Sequence, residues 1–179
     1  MLHRLAKNGT RGQRKRETHL DKDMLDPNGD ADEYFMDLAL KEAKLALIEK
    51  EVPIGAIVVK EGKLIASAHN LRESLNDPTA HAEILALRKA SESLGSWRLS
   101  DCTVYVNLEP CPMCAGALIS ARVRRVVYAS SDPKAGALGT LYNLGSDPRL
   151  NHELEIRSAV LEEYSSNLIS EFFRGLRTR

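Results

Sequence analysis

The chain has 179 residues, a length that suits one domain with a short tail. Hydrophobic residues make up 43% and charged residues 28%, enough for a packed core and against wholesale disorder. The 25 Lys and Arg balance 25 Asp and Glu, which excludes a strongly basic, histone-like binder but leaves local basic patches open.

Residues 1–30 differ from the rest of the chain. Arg4, Lys7, Arg11, Arg14, Lys15 and Arg16 precede any acid, and then Glu17, Asp21, Asp23, Asp26 and Asp30 reverse the sign. The stretch has no helical or strand period, and Asp26-Pro27-Asn28-Gly29 reads as a turn. The expectation is a flexible extension before a domain spanning 31–179. An Arg-rich, acid-poor start also fits an organelle-targeting peptide, and both readings stay open. No apolar stretch comes after Met1 as a secretory signal requires, and runs such as Ala56-Ile57-Val58-Val59 are too short to cross a bilayer. Three cysteines make no disulfide framework. These features predict a cytoplasmic protein with no membrane association.

Periodicity begins near Asp32. Met36, Ala39, Leu40, Ala43 and Leu47 follow the spacing of one buried helix face. Ile54–Val59 and Leu64–Ala68, joined by Lys60-Glu61-Gly62-Lys63, predict a hairpin. Asp77-Pro78-Thr79 punctuates the chain before a helix through Ile84, Leu87 and Arg88, with Thr79 the expected N-cap. A strand at Thr103–Leu108, a helix at Cys111–Ala121 and a strand at Arg125–Ala129 imply a parallel pair with a crossover. A short strand at Leu154–Ile156 comes next, and the last helix sets Leu161, Tyr164, Leu168 and Phe172 on one face. The sum is an α/β fold: a three-layer α/β/α sandwich around a mixed sheet of about five strands.

Two predicted helix starts carry chemistry. His81-Ala82-Glu83 opens one, but about 0.4 such His-x-Glu triplets arise by chance in this composition. Pro110-Cys111-Pro112-Met113-Cys114 opens the next, and a random Pro-Cys-x-x-Cys is expected only about 0.002 times. Cysteines at i and i+3 share a helical face, and a helix N-terminus favours the thiolate a metal needs. Two thiolates and His81 make three ligands and leave a tetrahedral position open, the pattern of catalytic zinc. Cys102 lies in a strand approach and reads as a core residue. On a regular helix Glu83 would stand about 200° from His81, so both face one centre only if His81 lies in an irregular first turn. A metal-free Cys-x-x-Cys dithiol oxidoreductase is the competing reading, and it leaves His81 and Glu83 without work.

The pair His81-Ala-Glu83 and Pro110-Cys-Pro-Met-Cys114 resembles the zinc-dependent nucleoside and nucleobase deaminases. Within them, residues 32–176 resemble the bacterial-type tRNA-specific adenosine deaminases. The specific pieces are Glu51-Val-Pro-Ile-Gly-Ala56, His69-Asn70, Asp77–Glu83, Leu108–Ala117, Asp132–Gly136, Asn151-His152 and Phe172-Phe173-Arg174. The resemblance implies a cytidine deaminase-like fold and one zinc per subunit on His81, Cys111 and Cys114. It also implies Glu83 as proton carrier and hydrolysis of adenosine to inosine at the wobble position of a tRNA anticodon loop. Asn70 and Ala82 would bind the purine, Asp132 would lie near the sugar beside it, and Arg174 and Arg177 would contact the anticodon stem. Asn70 and Asp132 read equally as turn residues, and arginines such as Arg122, Arg124 and Arg125 commonly cap helix ends. The family also implies a homodimer. A free-base deaminase acting on guanine or cytosine shares every zinc residue and remains the alternative.

Overall fold

The computed structural model describes residues 31–177, so the expected extension and the turn at 26–29 lie outside the described residues. Four helices and five strands succeed one another in the order α1 (Ala31–Ile48), β1 (Gly55–Lys60), β2 (Lys63–His69), α2 (Ala82–Leu94), β3 (Cys102–Leu108), α3 (Pro112–Ser120), β4 (Arg125–Ser130), β5 (Glu155–Arg157) and α4 (Glu162–Arg177). The sheet runs β2-β1-β3-β4-β5. Its first three strands are antiparallel neighbours, whereas β3, β4 and β5 run parallel.

Both faces of the sheet are covered, which explains why β1 and β3 read as unbroken apolar runs. Ala56, Val58, Val104 and Val106 point to the layer holding α2 and α3. Their alternates Ile57, Val59 and Tyr105 point to the layer holding α1 and α4. The three-layer sandwich is therefore as expected.

Two helix faces differ from expectation. On α1 the buried stripe is Phe35, Met36, Ala39, Leu40, Ala43 and Ala46, while Leu47 is exposed. Gly55 closes on the α1 backbone so tightly that a Cβ there would collide with Ala39 and Ala43, and Leu47 lies in the turn beyond that contact. On α4, Tyr164 faces solvent, where Lys44 Nζ donates to its hydroxyl at 2.6 Å. The buried position is Ser165. Its hydroxyl donates to the Asn107 carbonyl, and Asn107 Nδ2 donates both to Ser165 Oγ at 3.2 Å and to the Pro53 carbonyl at 3.0 Å. A polar clasp thus joins this helix to the central strand, beside the apolar packing of Leu161 and Leu168.

Candidate active site

The parallel strands and the crossover between β3 and β4 put the start of α3 at the carboxyl end of the sheet, where open α/β folds place their sites. The start of α2 meets it there. His81 is the N-cap of α2, with φ −73° and ψ 152°, and Cys111 is the N-cap of α3, with φ −72° and ψ 172°. Neither caps its helix with its side chain, so both side chains turn toward each other. The expected cap, Thr79, instead closes a local turn, its N–H and hydroxyl both donating to Asp77 Oδ1 at 2.7 Å. The extended backbone of His81 is what brings its ring and Glu83 to one centre.

His81 Nδ1 lies 3.6 Å from Cys114 Sγ and 3.8 Å from Cys111 Sγ, and all three donor atoms fall within 4.8 Å of one another. Imidazole and thiolate donors on a tetrahedron around a small divalent ion stand about 3.5–3.8 Å apart. The group could hold such an ion. The three groups share protons tightly: Cys111 is pulled down to about 4, first by the hydrogen bond from the Cys114 thiol and then by His81. Cys114 is pushed up by the same hydrogen bond and by burial. His81 is raised, chiefly by its hydrogen bond with Cys111. Glu83, 4% exposed, sits beside Cys114, and burial pushes its carboxyl up against the pull of His81.

Beside His81 opens a cavity of about 320 Å³, with Glu51, Asn70, Arg72 and Phe172 in its walls. Asn70 is buried, and its Nδ2 donates to Glu51 Oε2 at 2.9 Å. Ala82 is fully buried at the first position of α2, and its N–H belongs to the first-turn donors a helix cannot satisfy internally. Asp132 lies apart from this cavity. Its carboxylate accepts the Lys134 N–H at 2.8 Å, the turn geometry, and it lines a neighbouring cavity that shares the Val52 and Ile54 wall. Arg174 and Arg177 lie exposed in the last turn of α4 and do not line the His81 cavity. Arg125 pairs with Asp32 and Glu155 at 2.8 Å each, and Arg122 holds Asn151, so these two arginines serve the fold.

Three residues carry more of the site than their sequence context suggests. Phe172, by its spacing a core residue, is half-buried in the wall beside His81. Glu109, two residues before Cys111 and 2% exposed, accepts N–H groups from Asp132, Leu138 and Thr140 at 3.0 Å each, and the Thr140 hydroxyl as well. A Cβ at Gly136 would collide with that carboxylate, so glycine lets the 132–140 loop close around it. Glu51 holds Asn70 in the same manner. The signal for Glu109 was a lone charge beside a proline, whereas Glu51 follows Glu49 and Lys50 and carried no such mark.

Residues 30–177 match the MafB19-like deaminase family. The tRNA-specific adenosine deaminase of Bacillus subtilis is 52% identical over 148 residues, covering 83% of this chain and 92% of that protein. A solved tRNA:A34 deaminase, studied for A-to-I editing at the wobble position of transfer RNA, superposes with a TM-score of 0.73 at 45% identity. It covers 75% of this chain and 98% of its own. A guanine deaminase from Nitrosomonas europaea gives a TM-score of 0.66 at 28% identity, over 78% of this chain and 83% of its own.

Proposed function

The chain belongs to the tRNA-specific adenosine deaminases, and from that premise we infer that it hydrolyses adenosine to inosine at the wobble position of a tRNA anticodon loop. The observation that carries the reading is the meeting of His81, Cys111 and Cys114 at two helix starts with a buried carboxyl beside them. We propose that these three residues hold one zinc per chain, the donor set and its spacing being those of catalytic zinc. Bound there, zinc supplies Lewis acidity that makes a water nucleophilic near neutral pH.

Glu83 moves the protons. It takes one from the attacking water and gives it to adenine N1 as the C6–O bond forms, then passes the second to the departing amino group. The C6–N bond breaks, ammonia leaves, and adenosine plus water has become inosine plus ammonia. Burial raises the Glu83 carboxyl above the usual carboxylate range, which makes it a stronger base toward the water and a carrier that keeps the proton until the next transfer. Asn70 and the Ala82 N–H bind the base, and Phe172 walls the cavity that takes it out of the stack. We assign Asp132, in the adjoining cavity, to the neighbouring sugar, and Arg174 and Arg177, at the end of α4, to the stem phosphates.

The deaminase domain is 31–179, and the working unit is a homodimer. The outer face of α2 and α3, where Ile84, Leu87 and Ala117 line a cavity under an exposed Trp97, supports a second copy there. Among the described residues no helix is long and apolar enough to cross a membrane. We place the protein's action in the cytoplasm on its likeness to bacterial tRNA-specific adenosine deaminases. The decisive experiment is an inosine assay on an anticodon stem-loop carrying wobble adenosine, run beside free guanine and cytosine. Inosine in the stem-loop is the expected product, and efficient deamination of a free base alone would replace this reading with the free-base alternative.

A further inference from the structure

Glu51 takes no part in the reaction above, yet it is 1% exposed and lines the cavity beside His81. Burying a carboxylate is costly unless donors surround it, and here the donors are neutral N–H groups. Oε2 accepts Asn70 Nδ2 at 2.9 Å, and Oε1 accepts the Ser74 N–H at 2.7 Å. The second bond fixes the acid against the loop after Asn70, so Glu51 cannot turn away without losing it.

A carboxylate can only accept, whereas the two ends of an amide are opposite in character. Facing Glu51, Asn70 must present Nδ2, which leaves Oδ1 and the second N–H of Nδ2 for other partners. Adenine offers an acceptor, N7, beside a donor, the N6 amino group. An amide matches that pair in one orientation and mismatches both atoms in the other. Guanine, with acceptors at both N7 and O6, is mismatched at one atom by the orientation that suits adenine.

We propose that Glu51 is a positioning residue that fixes the amide orientation of Asn70 and, through it, the base the cavity accepts; the inference rests on the adenosine reading of the site. Glu51→Gln is the informative variant. With its side-chain oxygen still accepting from the Ser74 N–H, the Gln Nε2 that faces Asn70 can only donate, so Asn70 is driven to invert and present Oδ1. Wild type, Glu51→Gln, Asn70→Ala and the double variant are compared for kcat and KM on the wobble-adenosine stem-loop, with zinc content and Tm measured on each. Glu51→Gln is expected to lose about tenfold in kcat/KM with zinc retained, the scale of one lost bidentate base contact. The double variant is expected to be no worse than Asn70→Ala alone, because Glu51 acts only through Asn70. Additive losses, or a Glu51→Gln enzyme at wild-type efficiency, would overturn the proposal. Wild-type turnover in the same series tests the adenosine reading separately. Should Glu51→Gln not fold, Glu51→Asp, which keeps the charge but shortens its reach, takes its place in the cycle.

Discussion

At the scale of single residues, the four groups around the centre divide by what their loss should remove. Cys114 is fully buried at the first turn of α3, and its sulfur is within reach of a helix start from elsewhere in the chain. Cys114→Ser should therefore lose bound zinc and lower the Tm together, because metal binding and folding are coupled through that joint; metal analysis and a thermal melt read both. Full activity in protein stripped of metal would remove zinc from the proposal. Glu83→Gln should keep zinc and fold yet lose about 100- to 10,000-fold in kcat, the range for a positioned proton carrier, and turnover within tenfold of wild type would exclude that role. The cluster of His81, Cys111 and Cys114 was legible because Cys-x-x-Cys and His-x-Glu are local patterns with local geometry. Glu51 and Glu109 were not, since a buried carboxylate is explained by its donors, and those lie 19 to 31 residues away in the chain.

At the scale of elements, periodicity located the five strands and four α-helices but misjudged what ties the helices down. Asp32, in the first turn of α1, binds Arg125 at 2.8 Å through both oxygens, accepts the Tyr105 hydroxyl at 2.7 Å, and also meets Arg157. It thus joins α1 to β3, β4 and β5, a role that no helix pattern encodes. Ser165 on α4 and Thr79 before α2 mislead for the same reason, since a small polar residue shows its partner only once the chain has folded. Burial alone would raise the Asp32 pKa, but hydrogen bonds from Arg125, Tyr105 and Arg157 outweigh it and hold the carboxyl below its usual 3.8. The folded state therefore resists a proton that the unfolded chain would accept. That contribution is complete above about pH 4 and fades as the pH falls through the folded value. Asp32→Ala should cost about 1–3 kcal/mol at neutral pH by taking one carboxylate from the half-buried Arg125 and Arg157. Denaturant melts at pH 7 and pH 3 should show a smaller gap between variant and wild type at the lower pH. An equal gap would assign the loss to packing.

At the scale of the whole molecule, the three layers followed from which runs are apolar on both sides, and the site followed from the crossover that starts α3 at the sheet's carboxyl end. The RNA surface is the part least written in pattern, because a zero net charge gives no field to read. Affinity must then come from placed groups. Of the candidate arginines, Arg122 and Arg125 already hold parts of the fold, whereas Arg174 and Arg177 end α4 on the helix that also carries Phe172 and Leu176 into the cavity wall. On the proposed reading, one helix runs from the cavity beside His81 toward the stem. Truncation after Glu171 would confound the two, since it removes part of the cavity as well as the arginines, so point variants are the clean probe. Arg174→Ala and Arg177→Ala together should weaken stem-loop binding while sparing zinc content and Tm. If each arginine meets one stem phosphate, the slope of log Kd against log salt should flatten by about 1.8, from roughly 0.9 per phosphate on a duplex. Binding titrations from low to moderate salt measure that slope directly. A loss of affinity with the slope unchanged would mean that the arginines act on bases or on the helix end, and unchanged affinity would move the stem contact to another surface.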